Sequence, residues 1–168
     1  MKHLIADLRE LADTPIGALT IAADAGRITG IWFADHRYPP APERLGQRVG
    51  QGEDPLLDAA AAQLAAYASG RAEGFDLPLG PPGTVRQKAV WDELRGIARG
   101  TTTTYGEIAR AVGSPRGAQA VGQAVGRNPL SIVVPCHRVL GAGGGLTGYA
   151  GGAERKRFLL ALEGATLT

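Results

Sequence analysis

The chain has 168 residues, 44% of them hydrophobic and 20% charged, with a net charge of +2, the balance of a globular protein able to build a core. No apolar run reaches membrane-spanning length. The opening Met1-Lys2-His3-Leu4-Ile5-Ala6-Asp7 meets an acid where an export signal would stay apolar, so a cytoplasmic protein with no membrane partner is expected. One cysteine, Cys136, excludes an internal disulfide and a thiolate metal cluster, and His3, His36 and His137 lack metal-ligand spacing, so no metal or other cofactor is expected.

In chain order, Lys2 to Leu8 is a strand candidate. Ala18 to Ala23 and Arg27 to Phe33 read as a hairpin across Asp24-Ala25-Gly26, with Gly26 suited to the positive φ of such a turn. His36 to Gly52, rich in Pro, Gly and charge, reads as a loop. Asp54-Pro55 is an N-cap followed by proline at the first helical position. The helix runs to about Ser69, with Leu57, Ala60, Leu64 and Tyr67 on one face, and stops at Gly70. Pro78 to Gly83 reads as a linker. The expected division is therefore a small α/β domain over 1–77, a linker over 78–83 and a second domain over 84–168.

The charge changes sign at that linker. Residues 1–83 hold 7 Lys/Arg against 11 Asp/Glu, and residues 84–168 hold 11 against 5, so a balance of −4 is followed by +6. A basic half points to a polyanion, although solvated basic faces are common.

Thr84 can cap a helix whose buried stripe would be Val90, Trp91, Leu94 and Ile97 or Ala98. Gly100 to Thr103 reads as a turn. A short helix from Tyr105 to Val112, a break at Gly113-Ser114-Pro115 and a helix from about Gly117 to Arg127 form a helix-turn-helix candidate. The second helix would bury Ala118, Val121, Gly122 and Val125 and expose Gln119, Gln123 and Arg127, with Arg116 just before it. Its small residues permit close backbone approach to a groove or to a packed neighbour. Ile132-Val133-Val134 reads as a short strand leading to Pro135-Cys136-His137-Arg138. A glycine-dense stretch from Gly141 to Gly152 precedes a last helix, Glu154 to Glu163, whose apolar side would include Phe158, Leu159 and Leu162.

A thiol reacts as its thiolate, so a reactive Cys136 needs a group to take its proton. His137 is adjacent and Arg138 adds positive charge. In an extended segment neighbouring side chains point apart, so His137 would act through a water or after a turn. Glu163 at a helix end, where the dipole disfavours an acid, is the candidate carboxylate behind the histidine; as a solvated helix end it would need no task.

The ordered set Trp91, Thr104-Tyr105-Gly106-Glu107-Ile108-Ala109, Ala120-Val121-Gly122, Asn128-Pro129, Pro135-Cys136-His137-Arg138, Gly148-Tyr149-Ala150-Gly151-Gly152 and Leu159 to Gly164 resembles the O6-alkylguanine-DNA alkyltransferases, or methylated-DNA–protein-cysteine methyltransferases. The likeness runs through nearly all of 84–168 and more loosely through Thr14-Pro15-Ile16-Gly17 and the hairpin. It implies a ribonuclease H-like α/β N-terminal domain and a mainly α, winged helix-turn-helix C-terminal domain. It also implies a single-use transfer of an alkyl group from O6-alkylguanine, and from O4-alkylthymine, in double-stranded DNA to Cys136. Cys136, His137, Glu163 and Asn128 would be catalytic. Tyr105 would rotate and contact the flipped base, Tyr149 and Ala150 would wall the pocket, and Gln119, Arg116, Arg127, Arg138 and Val139 would face DNA or substrate. A monomer is implied, with clustering on DNA left open.

Three positions depart from the family pattern. Gln119 stands where most relatives carry an arginine that replaces the flipped base. Arg86 stands where an aromatic residue is usual, and Ala98-Arg99-Gly100 lacks the usual proline. Three other readings are weaker. A damage sensor without repair would be expected to lack Cys136, a Cys-His hydrolase has no evident substrate pocket, and a plain transcription factor leaves the Cys-His-Glu set unexplained.

Overall fold

The computed structural model describes residues 1–8, 14–146 and 148–165. Within the glycine-dense stretch, Thr147 lies outside the described residues. The chain divides into two units, Met1–Pro82 with Pro129–Val133, and Gly83–Asn128 with Val134–Thr168. No helix among the described residues is long and apolar enough to cross a membrane.

The first unit is a four-stranded sheet covered by one helix. Strands β1 (Lys2–Asp7), β2 (Ala18–Asp24) and β3 (Arg27–Phe33) form an antiparallel meander, and β4 (Gln47–Arg48) adds to β1 in parallel, giving the order β3-β2-β1-β4. The hairpin turns on Ala25 and Gly26, both at positive φ (47° and 72°), the turn whose twist matches its strands. Gly30 has a separate reason: a Cβ there would lie 1.7 Å from the ring of Trp32, two residues on and on the same face of the sheet. Helix α1 (Pro55–Ala68) starts as expected, with the Asp54 carboxylate accepting from the N–H groups of Leu56 and Leu57. Its Leu57, Ala60, Leu64 and Tyr67 are buried, as are Leu19, Ile21, Ile28 and Ile31 of the sheet. Each large apolar side chain so buried contributes about 1.5–3 kcal/mol relative to exposure.

Two loop assignments are corrected. The 36–52 loop contains a one-turn 3₁₀ segment, Pro42–Arg44, and the strand β4, too short to show a period in sequence. The start of the expected linker pairs with β3 instead of hanging free: Ile28 N–H donates to Pro78 O at 2.7 Å and Gly80 N–H to Ile28 O at 2.9 Å. Ile31 exchanges backbone bonds with Pro129 and Ser131, which is why Pro129–Val133 belongs to this unit although it is remote in sequence.

The second unit contains α2 (Val85–Arg95), β5 (Thr103–Thr104), α3 (Tyr105–Ala111), α4 (Ala118–Gly126), β6 (Val139–Leu140) and α5 (Ala153–Leu162), with β5 and β6 parallel. Capping boxes fix two helix starts, Thr84 with Gln87 and Thr104 with Glu107. Val90, Trp91 and Leu94 are buried and the Trp91 indole donates to Ala124 O at 2.9 Å. Helix α2 ends at Arg95, so Ile97 and Ala98 do not extend its stripe.

The buried face of α4 is Val121, Ala124, Val125 and Gly126, one step round from the expected face; Ala118 is exposed and Gly122 half-buried. The departure at Arg86 has a local role: its guanidinium donates to Ser114 Oγ at 3.2 Å, tying α2 to the turn before α4. In α5 the buried residues are Lys156, Leu159 and Leu160, with Glu163 at the C-cap, while Phe158 and Leu162 are half-buried. The inward face therefore carries a charge at each end.

Candidate active site

The path to Cys136 is built from tight turns. Asn128 ends α4, its N–H donating to Val125 O. The expected strand over 132–134 is absent: Val133 N–H donates back to Ser131 O around Ile132, whose φ is +72°. Ile132 and Val134 are apolar because they are 2% and 1% exposed, not because the backbone is extended. A β-branched residue in the left-handed region stores on the order of 1–3 kcal/mol of strain that the surrounding packing must hold. A second three-residue turn, Cys136 N–H to Val134 O at 2.8 Å, runs through Pro135 at φ −81° and ψ 61°.

Cys136–Arg138 then form one 3₁₀ turn. With three residues per turn, consecutive side chains fan out by about 120° in place of the 180° of a strand. Of the alternatives open for His137, the backbone takes the turn.

This fan places three side chains in three environments. The Cys136 thiol, 5% exposed, accepts from Asn128 Nδ2 at 3.2 Å, and the same amide donates to Val134 O at 2.9 Å. Burial pushes the thiol's pKa up, opposed by the Asn128 donor, by the charge of Lys156 and by the N–H groups of Cys136 and His137. His137 is wholly buried, with Nε2 at 2.6 Å from Glu163 Oε1. A carboxylate only accepts, so Nε2 carries the proton and Nδ1 keeps a lone pair. Among the described residues Nδ1 is buried and has no hydrogen-bond partner. Burial pushes the His137 pKa down, Glu163 pulls it up, and Arg138 and Lys156 push it down again, so the ring is a neutral base at pH 7.

Arg138 corrects an expectation. Its guanidinium turns inward, donating from Nε to Glu163 Oε2 at 2.8 Å, from Nη2 to Oε1 at 3.1 Å and from Nη1 to Ile97 O at 2.6 Å. The carboxylate of Glu163 makes it a buried ion pair, and the side chain expected to meet DNA is committed behind the histidine. Val139, also expected at the substrate face, is fully buried in β6, and its carbonyl accepts from Lys156 Nζ at 2.6 Å.

Tyr105, half-buried at the first position of α3, lies between α4 and the glycine-rich loop. A Cβ on Gly122 would be 3.8 Å from its ring, and one on Gly148, at φ +85°, would be 2.9 Å from its hydroxyl oxygen. Burial and the charge of the Cys136 thiolate push the Tyr105 pKa up, which keeps the hydroxyl protonated as a donor. Tyr149 and Ala150 are both 8% exposed, and the Tyr149 ring meets the His137 ring edge-on at 6.3 Å. Arg116, Gln119, Gln123 and Arg127 are exposed along α4 and its ends.

Cys136, His137, Glu163, Asn128, Tyr105 and Tyr149 thus come together, and Arg138 joins them from inside. Lys156 went unread in the sequence. Its signal was the spacing Lys156, Leu159, Leu160, Glu163, one inward face of a 3.6-residue period.

The family model for the 6-O-methylguanine DNA methyltransferase DNA binding domain matches residues 85–165, and that for its ribonuclease-like domain matches residues 8–81. The chain is 55% identical over 153 residues to the methylated-DNA–protein-cysteine methyltransferase of Methanosarcina acetivorans, covering 91% of this chain and 96% of that protein. It is 47% identical over 152 residues to that of Mycolicibacterium paratuberculosis, covering 90% and 88%. Its structure is similar to that of Mycobacterium tuberculosis OGT in complex with DNA, with a TM-score of 0.82 and 40% identity over 98% of this chain and 93% of that one.

Proposed function

The chain belongs to the 6-O-methylguanine DNA methyltransferase family, and from that premise we propose how its residues repair O6-alkylguanine in DNA by moving the alkyl group to Cys136. The observation that carries the assignment is the buried Glu163–His137 pair whose free lone pair, on Nδ1, sits one residue from the only cysteine.

The Cys136 proton passes through a water to His137 Nδ1, and Glu163, itself fixed by Arg138, holds the resulting imidazolium in place. The thiolate attacks the alkyl carbon in line. A sulfur–carbon bond forms, the carbon–O6 bond breaks, and its electron pair goes to O6 and is shared with the ring; a proton from water taken up at the ring nitrogen completes guanine. Tyr105, kept protonated, and the backbone N–H near Ala150 supply hydrogen bonds where that charge develops. The product is a thioether that thiol exchange does not reverse, so each molecule acts once. O4-alkylthymine presents the same alkyl–oxygen bond on a ring carbon and is read as a second substrate. One chain carries acceptor, base and DNA-reading helix, so a monomer suffices.

The reaction is tested by incubating the protein with duplex containing O6-methylguanine and mapping peptides by mass spectrometry. One methyl group on the Cys136 peptide, one per molecule and absent in Cys136→Ser, is expected; tight binding without an adduct overturns the assignment in favour of a damage sensor.

The helix-turn-helix reading rests on α3 and α4, packed about a turn with Gly113 at φ +70°, and its winged form is read from the β5–β6 pair. The exposed Arg116, Gln119, Gln123 and Arg127 and the Ala/Gly-rich surface of α4 suit a minor groove, where small residues let the backbone approach. Gln119 can hydrogen-bond an orphaned base but has no cation or guanidinium plane to stack in the gap. Gln119→Arg is expected to speed repair of duplex about tenfold, a gain of about 1.4 kcal/mol that offsets part of the few kcal/mol that base flipping costs. Reaction with free O6-benzylguanine should stay within about twofold, since α4 is not asked to open a duplex there. Equal changes on both substrates would remove Gln119 from base flipping.

A further inference from the structure

Lys156 is a lysine with no exposed surface, an expensive position for an ammonium. Its Nζ has one hydrogen bond among the described residues, to Val139 O at 2.6 Å, the carbonyl directly after the Cys136–Arg138 turn. It stands on the inward face of α5 two helical turns before Glu163. Leu159 and Leu160, both fully buried, separate the two charges on that face. One end of α5 therefore presents an anion to His137 and the other end a cation to the start of β6. An ammonium buried with only a carbonyl for company costs stability, so the position calls for an electrostatic partner.

We propose that Lys156 is a positioning residue for alkyl transfer, whose buried ammonium, anchored on the Val139 carbonyl, stabilises the Cys136 thiolate that attacks the alkyl carbon. The proposal rests on Cys136 being the acceptor. Burial lowers the Lys156 pKa to about 8, with the Cys136 charge pulling the other way, so the side chain is cationic at pH 7. The coupling is mutual, since the same charge opposes the burial that raises the thiol. Other groups act on this thiol from every side. Tyr105 of α3 is coupled to its charge and Asn128 at the end of α4 donates to it. On the 3₁₀ turn itself the backbone N–H of His137 opposes the rise, while the His137 and Arg138 side chains are both held by Glu163. Of these, Arg138 is neutralised by Glu163, which leaves Lys156 as the cation whose charge is uncompensated by any ion pair among the described residues.

The test is the pH dependence of Cys136 alkylation in the full chain, with iodoacetamide and with O6-benzylguanine, comparing wild type with Lys156→Gln and Lys156→Met. The charge-free variants should move the midpoint of the pH–rate profile upward by about one unit. That is about a tenfold loss at pH 7 that recovers at alkaline pH. Unchanged midpoints, or a loss equal at every pH, would reduce Lys156 to packing. A measurement without variants covers failure to fold: in wild type labelled with [¹³Cε]lysine, methylating Cys136 should lower the titration midpoint of the Lys156 signal, because the anion is gone. An identical titration before and after methylation overturns the proposal. Absence of any benzyl adduct on Cys136 in wild type would instead overturn the acceptor reading, while the iodoacetamide profiles would still judge Lys156.

Discussion

Glu163→Gln should abolish most alkyl transfer and destabilise the fold, a double loss set by three hydrogen bonds on one buried carboxylate. Oε1 accepts from His137 at 2.6 Å and Arg138 at 3.1 Å, and Oε2 accepts from Arg138 at 2.8 Å. An amide of the same shape offers one acceptor. Its NH₂ group would face either the Arg138 Nε–H or the His137 Nε2–H, donor against donor, and the guanidinium would remain buried without a counter-charge. Breaking a buried pair in this way costs about 3–5 kcal/mol. Transfer at pH 7 should fall by on the order of 10²–10⁴, the usual worth of a positioned base, because His137 loses the partner that raises its basicity and fixes its tautomer. Single-turnover rates and thermal unfolding measure the two losses separately. Replacing both partners, Glu163→Leu with Arg138→Met, should recover much of the stability and none of the transfer. A Glu163→Gln protein reacting within threefold of wild type would remove the carboxylate from the mechanism.

The same pair gives the fold an acid limit. The His137 pKa is lowered on folding from its ordinary 6.5, so the unfolded chain binds the proton more readily. The stability from the neutral buried ring is present above pH 6.5 and is lost as pH falls below it toward the folded value.

Which parts of this arrangement could be read from sequence depends on the kind of signal each leaves. The β2–β3 hairpin and α1 were legible because local chemistry, Ala25-Gly26 and Asp54-Pro55, agrees with the burial period on either side. Ile132 to Val134 misled for the opposite reason. Three consecutive apolar residues look like a strand, although only Ile132 and Val134 are buried, and nothing local marks a positive φ at a β-branched position, which tertiary packing imposes. Cys136, His137 and Glu163 were legible as chemistry. The family likeness places Arg138 toward DNA, and only the geometry shows that a buried carboxylate has claimed it. Lys156 is hidden in the sequence because a charge on a helix ordinarily marks its solvent side. The period that buries Leu159 and Leu160 buries Lys156 as well.

Asn128 joins the end of α4 to the reacting sulfur, and its removal is the second large effect expected. The two N–H bonds of one amide are divided between Val134 O at 2.9 Å and Cys136 Sγ at 3.2 Å. Asn128→Ala leaves the buried Val134 carbonyl without that donor, a cost of about 1–3 kcal/mol. It also removes a hydrogen bond that favours the charged form of the thiol, so the pKa already raised by burial rises further and less thiolate is present at pH 7. A fall in transfer of about 10²-fold is expected, consistent with about two pH units of thiolate lost. Asn128→Asp separates packing from donation. It keeps the shape, gives up both donors and sets a second anion beside the sulfur, so it should be slower than Asn128→Ala despite filling the space better. The deficit should be greater on duplex than on free O6-benzylguanine, because the amide also fixes α4, which carries Gln119, relative to the turn that carries Cys136. An Asn128→Asp protein that transfers alkyl groups as fast as wild type would show that the sulfur needs no donor from this side chain.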